Sequence, residues 1–313
     1  LTDDEIAAWK GALAGAPLET MVHDSYLINL ASEDPALYGK SVDAFLAEAE
    51  RCAALGIELV EIPDWNCCGA SSAHMTNHEI GIRLPMRNLL LAAELGHDVL
   101  VPCAACFQRL KAAERSLREE PEYWDIQGYP ENIRIVHISS LLSEDGVLDK
   151  IREKIRVRFE GLKLACYYGC LSLRHPKITE VINYEQPRTL EAIVSSVGAQ
   201  PVSWSHRTEC CSGSLTMARP DIARTLVADI VEAAKRAGAD GMVTDCPMCQ
   251  ANVESRQLDL GGEDYLPVFF GTELISAALS AQYPAKQKKL HLVDASVLDD
   301  VLRSAPQSRE ETV

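Results

Sequence analysis

The chain has no apolar run approaching the ~18 residues that a membrane span requires, and no transmembrane segment is expected. Its opening stretch, LTDDEIAAWKGALAG, is acidic and has no signal-peptide hydrophobic region, so a cytoplasmic location is the expectation. Basic residues are in deficit, 30 Lys and Arg against 46 Asp and Glu, for a net charge of −16. Such a surface repels phosphate backbones, which argues against nucleic acid as a partner. No G-x-G-x-x-G follows a candidate strand. Without that fingerprint the chain cannot draw electrons from a nicotinamide or flavin alone, and a multi-subunit assembly is expected.

What the chain has in excess is cysteine, eleven in 313 residues. In a reducing compartment, clustered cysteines signal metal or redox chemistry rather than a disulfide framework. They fall in two matched sets. Cys67-Cys68 is followed by Cys103-Ala-Ala-Cys106, and Cys210-Cys211 by Cys246-Pro-Met-Cys249, with thirty-four residues between Cys68 and Cys103 and again between Cys211 and Cys246. Each set is embedded in the same order of segments. The chain therefore reads as two copies of one fold: residues 1–143, residues 144–285, and a polar tail from 286 to 313 expected to be extended or partly disordered.

Strands alternate with helices in both copies, which predicts an α/β fold of two small parallel sheets with flanking helices. In the first copy, strands are expected near 21–30, 57–62, 98–101 and 133–138, and helices over 3–14, 41–55, 80–95 and 107–118, with a polar loop over 119–132. In the second, strands are expected over 162–168, 201–204, 241–244 and 266–270, and helices over 187–197, 220–237 and 272–280. Cys52 and Cys166 sit among apolar neighbours and read as small core residues. Each of the other cysteine groups falls where a strand ends and a helix begins, the edge at which open α/β sheets bind ligands and where helix N-termini favour thiolates.

A Cys-x-x-C offers two thiolates to one metal or cluster. An adjacent Cys-Cys pair chelates a single tetrahedral ion poorly and suits a multinuclear centre in which each thiolate serves a different iron. Iron–sulfur is therefore favoured over zinc, although both accept four thiolates. A thioredoxin-type dithiol accounts for a Cys-x-x-C but not for its fixed distance from a Cys-Cys. The second copy has one further thiol, Cys170, at the end of its first strand. The equivalent place in the first copy, near Leu27–Leu30, has none. His23, His74 and His78 in the first copy are secondary candidates as ligands to iron, against surface or capping roles, and Arg174, His175, His206 and Arg207 in the second are secondary candidates to donate to sulfur or to a substrate anion.

The pattern Cys170…Cys210-Cys211…Cys246-Pro-Met-Cys249 resembles the cysteine-rich CCG domain. The tandem arrangement, with EIPDWNCCGA and VPCAACF in the first copy, resembles the B subunit of heterodisulfide reductase over about residues 21–280. The resemblance implies a noncubane [4Fe-4S] cluster on Cys170, Cys210, Cys211, Cys246 and Cys249, which would carry the catalysis. In that family a disulfide is clamped between two clusters and cleaved in one-electron steps. The chain departs from the pattern at the missing first cysteine, which implies an altered iron–sulfur cluster or zinc on Cys67, Cys68, Cys103 and Cys106, and at Cys-Cys-Ser in place of Cys-Cys-Gly. These departures fit a specialised member, such as the B subunits of the heterodisulfide-reductase-like complex of sulfur oxidisers. Partners implied by the resemblance are a ferredoxin-like C-type subunit, a flavin A-type subunit, and a second B-type subunit or a lipoate-binding protein. The alternative is a non-catalytic relay or structural subunit of a respiratory or 2-hydroxy-acid dehydrogenase complex.

Overall fold

The computed structural model describes residues 21–22, 55–70, 73–126, 129, 133–262 and 264–304. The helices expected over 3–14 and 41–55, most of the strand expected near 21–30, Cys52 and His23 lie outside them.

In the first half the elements are β1 (Met21–Val22), β2 (Val60–Glu61), α1 (Ala73–Thr76), α2 (His78–Leu95), β3 (Val99–Val101), α3 (Ala104–Glu119), α4 (Pro121–Trp124), β4 (Ile135–His137) and α5 (Ile138–Leu142). A further helix, α6 (Asp145–Lys154), leads into the second half. There follow β5 (Lys163–Tyr167), α7 (Pro176–Thr179), α8 (Thr189–Ser196), β6 (Gln200–Pro201), α9 (Pro220–Arg236), β7 (Gly241–Thr244), α10 (Pro247–Leu260), β8 (Val268–Phe270) and α11 (Gly271–Ser280). The chain closes with α12 (Ala285–Lys288) and α13 (Val297–Ser304).

Both sheets are parallel, and their strand orders correspond: β2-β1-β3-β4 and β6-β5-β7-β8. β3 and β7 are buried along their whole length, as parallel strands covered by helices on both faces must be. The local signals are those the sequence offers. Asn77 caps α2 by accepting from the Ile80 N–H at 3.0 Å, and Gly96 ends it at φ +71, a conformation that costs glycine no Cβ clash. Pro85 is accommodated inside α2, although it has no N–H to reach back one turn. Leu89 of α2 and Leu110 of α3 are wholly buried in the core of the first half. Each stabilises the fold by about 1.5–3 kcal/mol.

Two stretches differ from expectation. The polar loop over 119–132 contains α4, because Trp124 turns inward and is 2 % exposed. The tail is not an arm: through residue 304 it folds back on the second half. There His291, Val293, Ala295 and Leu298 are buried, and His291 lies between the Glu254 and Glu273 carboxylates at 2.7 and 3.0 Å.

The two halves meet around their cysteine loops. Ala104, between Cys103 and Cys106, packs in one apolar cluster with Cys211, Cys246 and Cys249. In return, Leu171 and Met248 of the second half pack on the cluster that holds Cys68, Cys103 and Cys106.

Candidate metal centres

Five thiols converge at the carboxyl edge of the second sheet. β5 ends at Tyr167, and Gly169 turns the chain at φ +62 so that Cys170 follows. A Cβ on Gly169 would lie 2.8 Å from the Cys249 sulfur, so only glycine lets the strand end pass this close. The Cys170 and Cys210 Sγ atoms are 3.6 Å apart, as are those of Cys211 and Cys249. Cys249 also meets the sulfur of Cys246. Cys246 is the extended residue before α10, and the Asn252 amide, one turn past Cys249, donates to the Cys211 carbonyl at 2.7 Å. Tyr167 lies beneath the group, its hydroxyl donating to the Glu209 carbonyl at 2.8 Å.

Sequence reasoning singled out neither Gly169 nor Tyr167. The glycine before Cys170 was the available signal for the first. Burial, reinforced by the charges of Cys249, Cys211, Cys210 and Cys170, pushes the Tyr167 phenol up. The Cys210 thiol is lowered to about 6 by its hydrogen bond with Cys170, by the Ser212 N–H and by the nearby Arg174. Cys170, its partner in that bond, is pushed up, as are Cys249 and the isolated Cys166. Cys166 is buried in the main core cluster, apart from the five, as expected of a core residue.

The first half repeats the arrangement with four thiols. The Cys68 and Cys106 Sγ atoms are 2.8 Å apart, Cys106 meets Cys103, and Cys67 meets Cys68. Cys103 precedes α3 at φ −120, ψ 121, close to the φ −123, ψ 112 of Cys246 before α10. Gly69, after the pair, has φ +68, and Ser212, its counterpart, has φ +63. The serine in Cys-Cys-Ser thus adopts the left-handed backbone of the glycine it replaces, at a cost of roughly 1–2 kcal/mol.

The secondary candidates separate. His74 reaches the Gly69 carbonyl beside the four-thiol group, and Arg174 lies beside Cys210. His175 caps α7, His206 is half-buried and bonded to Ser205, and Arg207 is held by Glu191. His78 opens α2 on the surface.

The donor sets suit a polynuclear iron centre better than a lone ion. All the donors are thiols, and each group includes an adjacent Cys-Cys pair, which chelates one tetrahedral ion poorly. The Gly169 cradle leaves the sulfurs unobstructed by a Cβ.

Residues 164–254 match the family described as cysteine-rich domain, CCG. The chain is 29% identical over 257 residues to the 8-methylmenaquinol:fumarate reductase membrane anchor subunit of Wolinella succinogenes, covering 78% of this chain and 89% of that protein. It is 25% identical over 244 residues to the B subunit of the ferredoxin:CoB-CoM heterodisulfide reductase of Methanosarcina mazei, covering 72% and 80%. A crystal structure of a hypothetical protein from Helicobacter pylori shares the fold, with TM-score 0.60 and 11% identity over 94% of this chain and 58% of that one. The opening of the chain has a different affinity. Residues 1–105 match the xylose isomerase-like TIM barrel family, and a 57-residue stretch is 53% identical to the probable endonuclease 4 of Thermoplasma acidophilum, covering 18% of this chain and 20% of that protein. With a cysteine-rich domain in its second half and relatives named as heterodisulfide reductase B subunits at 24–26% identity along most of its length, the chain is similar to that family.

Proposed function

We propose that this chain is the iron–sulfur subunit of a heterodisulfide-reductase-like complex and exchanges electrons with a thiol or disulfide substrate. The observation that carries the reading is the convergence of five thiols from three separate segments at one sheet edge. Cys170, Cys210, Cys211, Cys246 and Cys249 would hold a noncubane [4Fe-4S] cluster, which when bound supplies one-electron exchange and iron to which substrate sulfur can bond. Cys67, Cys68, Cys103 and Cys106 would hold an altered iron–sulfur centre or zinc. The first half is then a CCG-type unit whose opening segment, with its different affinity, brings no cysteine to the end of β1.

The protein's own residues set the conditions. Gly169 admits the Cys249 sulfur to the group, the Asn252 amide fixes the Cys-Cys turn, and Ala104 and Met248 pack against the cysteines of the opposite half. Cleavage of a sulfur–sulfur bond takes two electrons and yields two thiols. A ferredoxin-like C-type subunit, itself supplied by a flavin A-type subunit, would deliver them singly. A lipoate-bound sulfur species, or a second B-type subunit at the substrate face, fits the same chemistry.

Iron and sulfide analysis of anaerobically purified protein, with EPR of oxidised samples before and after addition of thiol, tests the reading. A thiol-dependent signal that disappears in Cys211→Ala is the expected result, and a spectrum indifferent to that substitution would refute the assignment of ligands. The second reading is a relay or structural subunit, favoured by the incomplete first group and by a relative named as a membrane anchor. Among the described residues no helix is long and apolar enough to cross a membrane. Intact iron with no response to thiol would select the relay.

A further inference from the structure

Cys210 is held against Cys170 by hydrogen bonds outside any helix or strand. Cys170 follows β5 through the Gly169 turn, but β6 ends at Pro201, and from Val202 to Cys211 the chain is neither helical nor extended in a ladder. Beyond Val202 three bonds do the work of a ladder. The Trp204 indole donates to the Cys166 carbonyl at 3.1 Å, the Tyr168 N–H to the Arg207 carbonyl at 2.8 Å, and the Tyr167 hydroxyl to the Glu209 carbonyl at 2.8 Å. The approach to the Cys-Cys pair is thereby laid along the end of β5, just before Cys170. Arg207 does more than accept one of these bonds. Its Nη2 crosses to the start of α8 and donates both to the Pro187 carbonyl at 3.1 Å and to the Glu191 carboxylate. Tyr168 donates its hydroxyl to the same carboxylate and accepts from the Leu190 N–H at 2.8 Å. Arg207, Glu191 and Tyr168 thus close a ring that joins β5, α8 and the Cys210 loop.

The pair is largely shielded from water, with the Arg207 and Glu191 side chains 14 % and 12 % exposed, so removing either charge strands the other. The first half holds the corresponding place loosely. Asp64 lies three residues before Cys67 as Arg207 lies three before Cys210, and it pairs with Arg87 of α2. Both of those side chains are exposed, where solvent screens the charges. A shielded pair therefore accompanies the group that has Cys170, and a screened one the group without its counterpart.

We propose that Arg207 is a positioning residue of the five-thiol group: locked to Glu191 and Tyr168, it sets the distance between Cys170 and Cys210 and so makes Cys170 the fifth ligand. The inference rests on reading the five thiols as ligands of one iron–sulfur cluster. Groups behind the ligands orient them, and the loss of one lowers metal affinity by about 10–100-fold. The side chain that the sequence offers to a sulfur or a substrate anion acts instead through the backbone of the Cys210 loop.

The test compares wild type, Arg207→Gln, Arg207→Lys and Tyr168→Phe as full chains purified anaerobically, with Cys170→Ala as the reference for a group that lacks its fifth ligand. Iron and sulfide per chain, EPR before and after addition of thiol, and the chelator concentration that removes half of the iron are read beside the far-ultraviolet spectrum. In Arg207→Gln the signal of the five-thiol group is expected to take the form seen in Cys170→Ala. The chelator concentration for that group is expected to fall by about 10–100-fold, while the metal of the first group, assigned with Cys103→Ala, stays as in wild type. Arg207→Lys is expected to restore the wild-type form, because one nitrogen makes both bonds to α8 and an ammonium can replace it. If Arg207→Gln does not fold, Tyr168→Phe decides, since it removes one hydroxyl and keeps the ion pair. Earlier loss of iron from a folded chain sustains the proposal, and wild-type retention overturns it. The proposal also fails if Arg207→Gln lowers Tm but keeps the wild-type signal and iron, if both groups lose metal alike, or if Arg207→Lys behaves as Arg207→Gln does. A Cys170→Ala spectrum identical to wild type, or a wild-type chain without iron, would overturn the reading beneath it.

Discussion

Ser139 donates its hydroxyl to the carboxylate of Asp245 at 2.9 Å, and the bond joins the two halves of the molecule directly beside a cysteine loop. Both residues are 5 % exposed, and Asp245 immediately precedes Cys246. His137 completes the contact, its Nδ1 2.9 Å from the same hydroxyl and its ring edge-on to Phe107, which follows Cys106. Burial pushes the Asp245 carboxyl up and the His137 imidazole down, and against that burial the carboxylate is held by hydrogen bonds from the Ser139 and Ser172 hydroxyls. Ser139→Ala leaves a buried acceptor short of a donor and is expected to destabilise the chain by about 1–3 kcal/mol. Urea unfolding of the variant at unchanged slope would measure it, and an unmoved midpoint would show that the bond contributes nothing.

A second tie between the halves is ionic. Lys111 on α3 is buried with Glu114, which also accepts from Arg118, and reaches Glu180 at the end of α7. Removing one member of a buried pair leaves the other undercompensated, and because Glu114 keeps Arg118, Lys111→Ala is expected to cost about 3 kcal/mol, the lower end for a broken buried pair. Glu180 is mostly exposed, so Glu180→Gln is expected to cost at most about 1 kcal/mol. Replacing the buried pair together, Lys111→Met with Glu114→Leu, is expected to recover most of the loss. Equal destabilisation by the Lys111 and Glu180 variants would contradict this ranking.

How much of this was legible in the sequence depends on the range of the interactions. The helices α2, α9 and α11 and the strand β7 follow from local periodicity and caps, and they fall within a few residues of expectation. The cysteine groups were legible because their spacing repeats, and the structure brings each set together. The Ser139–Asp245 and Lys111–Glu180 contacts were not, since each joins residues far apart in sequence with no motif between them. The stretches around Trp124 and His291 read as loop and arm because a polar segment hides one or two buried anchors. The missing cysteine near Leu27–Leu30 was visible. That the opening residues resemble a TIM barrel family was not, because an amphipathic helix and a short strand suit either fold.

The C-terminal segment should be held by a pH-dependent clamp. Burial alone would lower the His291 imidazole, but its hydrogen bonds to Glu254 and Glu273 prevail and raise it to about 9. Around it, the Leu292 N–H also donates to Glu254, and Tyr283 donates to Glu273. A folded value above the ordinary 6.5 means that the contribution is complete below about pH 6.5 and is lost as the pH rises through 9. The Tm difference between wild type and His291→Gln is therefore expected to be largest at about pH 6, to shrink above it and to vanish toward pH ~10. Comparison with the variant removes the cysteine and tyrosine titrations common to both chains. A difference constant across that range would exclude the clamp.

The five-thiol group makes its sharpest demand at Gly169. An added Cβ there would lie 2.8 Å from the Cys249 sulfur, and the residue also sits at φ +62, where L side chains are strained. Relief by moving the sulfur is costly, because Cys249 is buried on the first turn of α10. Gly213 provides the control. Its added Cβ would meet the Cys211 sulfur at 3.5 Å, an ordinary contact, with no left-handed backbone to maintain. Gly169→Ala is thus expected to displace Cys249 and to cost the second group most of its iron and its EPR signal, while Gly213→Ala retains both. Iron and sulfide per chain, measured beside the far-ultraviolet spectrum, separates loss of the site from loss of the fold. If Gly169→Ala binds iron like wild type, the sulfur of Cys249 does not belong where the strand end now holds it.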